Sequence, residues 1–198
     1  MTALSLSVLV LLTAAPSSSS DVDKAEPVRT ERALALTVPN EALVDQDGKP
    51  VNLPKLVKGK LVAMNFVFST CSTICSPMSA VFSRLRNELG DKVGRDVELV
   101  SITLDPVRDT PERLEKFSSM FKRNRGWTFV TGEPPKVTRA LKALGGWVAD
   151  KERHPPMVLV GNPATGKWVR VYGMPTPDRL IEALVEVGMD APTQAEVH

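Results

Sequence analysis

The chain has 198 residues, with 25 Lys+Arg against 23 Asp+Glu, a formal net charge of +2 and 42% hydrophobic residues. That apolar content suits one ordinary core, and the charge is too small for a strongly basic nucleic-acid binder. No run of about 18–20 apolar residues provides a transmembrane helix, and two Cys with two His cannot build a disulfide scaffold or a four-cysteine zinc site.

Residues Ala3 to Ala15 are almost all apolar and lead into Pro16 and the serine run Ser17–Ser20. The length and the small residues at Ala14–Ala15 fit a signal peptide over residues 1–20, though no Lys or Arg precedes the apolar stretch. The alternatives are a retained weak anchor and an apolar tail. Export would place the thiols where they can be oxidised. Residues 21–35 read as a polar linker, 36–188 as one domain and 189–198 as a flexible tail.

Asp47-Gly48 between apolar flanks reads as a hairpin turn. The apolar run Leu61–Phe68 predicts a buried strand. From Cys75, the residues Met78, Val81, Phe82, Leu85 and Leu89 recur at helical spacing, and Gly90 suits the stop. A strand follows over Val97–Leu104. Thr110-Pro111-Glu112 opens a helix with a capping hydroxyl, a proline in the first turn and an acid near the positive end. Trp127–Val130 is a third short strand, and a helix carrying Val137, Ala140, Leu141 and Leu144 closes at Gly145-Gly146. Met157–Val160 and Trp168–Tyr172 flank a turn at Asn162–Gly166, and Thr176-Pro177-Asp178 starts a last helix. Hairpin, then strand–helix three times, then two strands and a helix, calls for an α/β fold with parallel members in its sheet. The antiparallel ending matches a thioredoxin-like architecture: a central mixed sheet flanked by helices, with an N-terminal β-hairpin extension.

Cys71 and Cys75 stand where the first buried strand ends and the first amphipathic helix begins. Three intervening residues bring both sulfurs to one face of a roughly helical segment, with a Cα separation of about 6 Å that a disulfide tolerates. A helix N-terminus favours thiolate, the form that exchanges disulfides and holds soft metal ions. Two blander readings compete. Inert buried cysteines have no reason to cluster within five residues, and a static disulfide would close a loop too short to gain much stability.

Leu43–Gly48, Lys58–Phe68, the Cys-x-x-x-Cys at Cys71/Cys75 and Leu104-Asp-Pro-Val-Arg-Asp-Thr-Pro111 together resemble the Sco/SenC family of thioredoxin-fold copper proteins. The resemblance runs from about residue 36 to 186 and implies a periplasmic or otherwise exported copper chaperone for cytochrome c oxidase assembly, attached to a membrane at most through its N-terminus. It implies a copper site of Cys71, Cys75 and a distant histidine, for which His154 is the matching position. Two thiolates and an imidazole suit Cu(I), and hold Cu(II) with an added oxygen. The implied partner is the copper-binding subunit of cytochrome c oxidase or another periplasmic copper or thiol protein, with no nucleic acid. His198, at the end of the tail, competes poorly as a ligand.

Ser72 and Ser76 follow the cysteines where the family usually has proline, which displaces the helix start and alters thiol pKa. Pro155-Pro156 after His154 admits the cis-proline of thioredoxin-type reductases, or ordinary punctuation before a strand. Asp105, Arg108 and Asp109 either orient the cysteine loop or merely cap a helix and form a local pair. Met64, Met78 and Met157 read as core filler, and Lys122–Arg125 as a solvated helix end. Two alternatives to the carrier remain open: a metal-free thiol–disulfide oxidoreductase using Cys71 to attack and Cys75 to resolve, and a redox or copper sensor.

Overall fold

The computed structural model describes residues 27–190; the segment read as a signal peptide, and His198, lie outside them. Among the described residues the strands are β1 (Arg29–Glu31), β2 (Leu43–Asp45), β3 (Pro50–Val51), β4 (Leu61–Val67), β5 (Val97–Thr103), β6 (Trp127–Thr131), β7 (Met157–Asn162) and β8 (Lys167–Tyr172). The helices are α1 (Leu53–Leu56), α2 (Cys75–Leu89), α3 (Pro111–Ser119), α4 (Pro134–Ala143) and α5 (Pro177–Val187). One eight-stranded sheet runs in the order β1-β8-β7-β4-β5-β6-β2-β3. The β4, β5 and β6 strands are parallel, and the rest join antiparallel.

Every residue of β4 and β5 is buried, as expected of central strands covered on both faces. Their alternation sorts the core into two layers. Leu61, Ala63 and Val67 face a cluster filled by α2, α3 and α5. Val62, Met64 and Phe66 face the cluster under α1 and α4. Met64, Met78 and Met157 are all buried in these clusters, as filler. One polar chain runs inside the first layer: Trp127 Nε1 donates to Ser101 Oγ at 3.0 Å, and Ser101 Oγ donates to Asn65 Oδ1 at 2.6 Å.

The helix starts follow their capping chemistry. Thr110 accepts from the Arg113 amide and Thr176 from the Arg179 amide, each with proline in the first turn that follows. α4 begins three residues before Val137, because Pro134-Pro135 occupy first-turn positions where no amide donor is required. The segment read as a linker contributes β1, which pairs antiparallel with β8 at the sheet edge, Arg29 opposite Tyr172. Its residues are polar because the pairing is made by backbone at an exposed margin. The Lys122–Arg125 turn is tied down in part, by an Arg123–Asp47 ion pair at 3.3 Å.

Register puts the ends of the central strands together. β4 pairs with β7 antiparallel, with Asn65 opposite Val158. The residues leading into β7 therefore run beside the segment leaving β4, which carries the first cysteine. β5 lies on the other side of β4, so the turn after Thr103 shares the same sheet edge.

Candidate metal centre

Cys71 lies in the turn between β4 and α2, and Cys75 is the first residue of the helix. The helix has Ile74 at its N-cap, which offers no side-chain acceptor. The Cys71 sulfur takes that place: the Cys75 amide donates to Cys71 Sγ at 3.3 Å. Both residues are free thiols, Cys71 half-buried and Cys75 buried. Partial burial raises the Cys71 thiol, but hydrogen bonds from the Cys75 thiol and from the amides of Cys75, Thr73 and Ile74 outweigh it and leave the pKa below the ordinary value. Cys75 goes the other way, because burial pushes it up strongly and its hydrogen bond to Cys71 adds to the shift. The fold thus splits the pair into an accessible, acidic sulfur and a buried, protonated one.

His154 follows a 3-10 turn at Lys151–Arg153 and precedes β7. Its ring centroid lies 5.3 Å from that of Phe66, tilted by 53°. Phe66 itself is pinned by Gly146, where a Cβ would collide with the ring. The imidazole is half-buried, and its Nε2 atom is buried without a hydrogen-bond partner. Burial lowers its pKa to about 4, although the backbone at Gly146 and Pro155 favours the charged ring. His154 is therefore neutral, with a bare nitrogen, throughout the physiological range.

Cys71, Cys75 and His154 all line one cavity of about 30 Å³, closed by Phe66, Phe68 and Met157. A cavity of that volume has room for a single ion or water, for which about 10–15 Å³ suffices. Among the described residues no three His, Cys, Asp or Glu side chains already converge as a finished coordination shell. Two sulfurs and a neutral imidazole around one small space nonetheless form a donor set of the soft kind, and the unpartnered Nε2 is a buried polar atom that a bound ion would satisfy.

Of the two roles that the sequence left open for Asp109, orienting the cysteine loop or capping the helix, its contacts fit the first. It is fully buried, and its carboxylate accepts from Ser69 N at 3.1 Å, Ser69 Oγ at 2.5 Å and Thr103 Oγ1 at 2.5 Å. Its own carbonyl accepts from Thr131 Oγ1 at 2.7 Å. Asp109 therefore fastens the ends of β4, β5 and β6 and fixes the residue two before Cys71. Capping of α3 falls to Thr110 alone. Arg108 keeps the blander role, an ion pair to Asp105 at 3.2 Å. The cis bond considered at Pro156 does not form, since no peptide bond among the described residues is cis; Pro156 instead offers its carbonyl to the Gly173 amide at 2.8 Å, as the start of an ordinary strand pair.

The SCO1/SenC family profile matches residues 30–172. The chain belongs to the SCO1/SenC family. It is 33% identical over 145 residues to a protein of Stutzerimonas stutzeri named for copper binding, covering 71% of this chain and 69% of that one. A SCO1 homologue from Bacillus subtilis is 38% identical over 89 residues, which is 44% of this chain and 45% of the relative; the match thus spans under half of that protein. The solved structure of BsSco, described as a member of the Sco family of cytochrome c oxidase assembly proteins with a disulfide switch, superposes with a TM-score of 0.64 at 28% identity, covering 78% of this chain and 94% of that one. The thioredoxin-like fold expected of a SCO1/SenC protein is the fold found.

The neutral imidazole has a consequence for stability. An unfolded histidine takes up its proton near pH 6.5, whereas folded His154 waits until about 4. Between those values the unfolded chain binds more protons, so stability rises with pH and the contribution is complete above the unfolded value. With a discount for the ring's partial exposure, the effect is about 2 kcal/mol. Urea unfolding at pH 4.5 and 7.5 should show a steeper pH dependence in the native sequence than in His154→Gln; parallel profiles would contradict the buried neutral ring.

Proposed function

We propose that this chain is an exported copper carrier that takes up one Cu(I) between Cys71, Cys75 and His154 and delivers it to the dinuclear copper centre of cytochrome c oxidase. The observation that carries the reading is the shared cavity, in which two sulfurs and a buried, unpartnered imidazole nitrogen surround space for one ion. The naming of the Stutzerimonas relative for copper binding, and of BsSco for cytochrome c oxidase assembly, supports the choice of cargo and recipient. Export rests on the apolar segment over residues 1–20, and among the described residues no helix is long and apolar enough to cross a membrane.

In this mechanism the accessible Cys71 thiol, more acidic than an ordinary one, ionises the more readily, and Cys75 surrenders its proton on metal binding, so uptake releases protons and strengthens with pH. His154 needs no deprotonation. Release follows when a partner's thiolates compete, or when Cys71 and Cys75 join in a disulfide while their two electrons reduce a partner disulfide to a dithiol. Purified reduced protein should bind about one Cu(I) per chain, measured by competition with a chromogenic Cu(I) chelator. His154→Ala should weaken that binding at least about tenfold; unchanged affinity would exclude the three-ligand site.

A second reading, a metal-free thiol–disulfide oxidoreductase, is favoured by the split in thiol acidity. The Cys71 thiolate would attack a partner disulfide and expel one partner thiolate, and Cys75 would then lose its proton and attack the Cys71 sulfur. That chemistry would survive His154→Ala and vanish in Cys71→Ser.

A further inference from the structure

The turn that carries His154 is fastened to the thiol side of the cavity by one side chain. Lys151 opens the 3-10 turn, and its carbonyl accepts the His154 amide at 3.1 Å. Its ammonium reaches across the cavity edge to Asp105 Oδ2 at 3.5 Å. It also sits 5.4 Å from the centroid of Phe68, the residue that leads from β4 into the cysteine loop. Lys151 is itself a lining residue of the cavity and mostly shielded, with 24% of its side chain exposed. Three pieces of chain therefore meet on one amine: the histidine turn, the segment after β5, and the floor of the thiol loop.

The fastening is built to open without stranding a charge. Asp105 keeps a second partner, Arg108, at 3.2 Å. Lys151 keeps Glu152 at 3.6 Å. Breaking the Lys151–Asp105 pair thus leaves neither group as a lone buried ion, which is the costly outcome for most partly buried pairs. What is lost is one ion pair and one cation–π contact, both modest. A clasp of that strength restrains a turn and still releases it.

We propose that Lys151 is a positioning residue, a reversible clasp that holds the His154 turn over the Cys71–Cys75 loop and so sets how far the imidazole must travel to join the sulfurs. The inference rests on the copper-carrier reading. The third ligand is then adjustable independently of the two thiols, and uptake and release are biased by whether Lys151 engages Asp105. The Pro155-Pro156 pair stiffens the chain between the turn and β7, so motion of the turn is carried directly to His154.

The test is a double-mutant cycle on the reduced full chain, read by Cu(I) competition with a chromogenic chelator. Lys151→Met, which keeps the length and loses the charge, should weaken binding about three- to fivefold, and Lys151→Arg should restore most of it. In the His154→Ala background, Lys151→Met should have no further effect. Hydrogen exchange of the metal-free protein gives an independent reading: amides of residues 151–154 should exchange faster in Lys151→Met, with α2 unchanged. Native-like affinity and exchange in Lys151→Met would overturn the clasp and leave the carrier reading intact. An equal loss in both backgrounds would overturn it too, by showing that the charge acts on the sulfurs and not through His154. Loss of the His154→Ala effect itself would instead strike the carrier reading.

Discussion

Asp109→Ala should lower the stability of the folded protein by about 3 kcal/mol, and Asp109→Asn by about half as much. The alanine change empties a fully buried site and leaves three donors without an acceptor: the Ser69 amide, the Ser69 hydroxyl and the Thr103 hydroxyl. Thr103 is fully buried and Ser69 half-buried, so the Thr103 hydroxyl keeps its desolvation cost and the Ser69 donors keep a share of theirs. Asparagine preserves the shape and one acceptor oxygen but turns the other position into a donor facing donors. Urea unfolding of the reduced protein gives the comparison directly. A loss below about 0.5 kcal/mol for alanine would mean that the three strand ends are held by backbone pairing alone. The damage should also be local in its chemistry, because Ser69 stands two residues before Cys71 and its release loosens the loop that holds the sulfur against the α2 amides.

The strands and helices were legible wherever apolar period and cap agreed. Leu61–Val67 is apolar but for Asn65 because it is buried on both faces, and Thr110-Pro111 and Thr176-Pro177 state their helix starts chemically. β1 was not legible. Arg29-Thr30-Glu31 bears no apolar pattern, since an edge strand is held by backbone bonds to β8 and its side chains need not be buried. Its place is set by contacts such as Arg29 over the Tyr172 ring at 4.1 Å, which no local window contains.

The cysteine pair announced itself through spacing, but the histidine did not. His154 lies far along the chain from Cys75, and only the family resemblance pointed to it; the physical link is the antiparallel register that sets Val158 opposite Asn65. Asp109 was harder still. An acid one residue before a helix cap reads equally as a residue that orients the cysteine loop and as a cap, and nothing in the sequence says that Ser69 and Thr103 will come to rest on it. Buried polar contacts between distant strand ends are decided by topology, so they become visible only once the sheet order is known.

Iodoacetamide should modify Cys71 at least about a hundredfold faster than Cys75 at pH 7 in the reduced, metal-free protein. Two independent causes act in the same direction. Cys71 is half-exposed, with its pKa lowered by the Cys75 thiol and the amides of Cys75, Thr73 and Ile74, whereas Cys75 is buried, with its pKa pushed strongly up. Thiolate fraction falls tenfold for each unit of pKa above the working pH, and burial reduces access further. Peptide mapping after partial alkylation reads the ratio. The pH profile of Cys71 modification carries the second half of the prediction: its midpoint should lie below that of an ordinary thiol and rise in Cys75→Ala, which removes the hydrogen bond from the neighbouring thiol. Equal labelling of both residues would show that the helix start does not distinguish them. A Cys71 midpoint that stays unchanged in Cys75→Ala would assign the lowered pKa to the backbone amides alone. In either carrier or exchange chemistry the order of events depends on this asymmetry, because the more acidic and accessible sulfur meets the incoming metal or disulfide first, and the buried one closes the reaction.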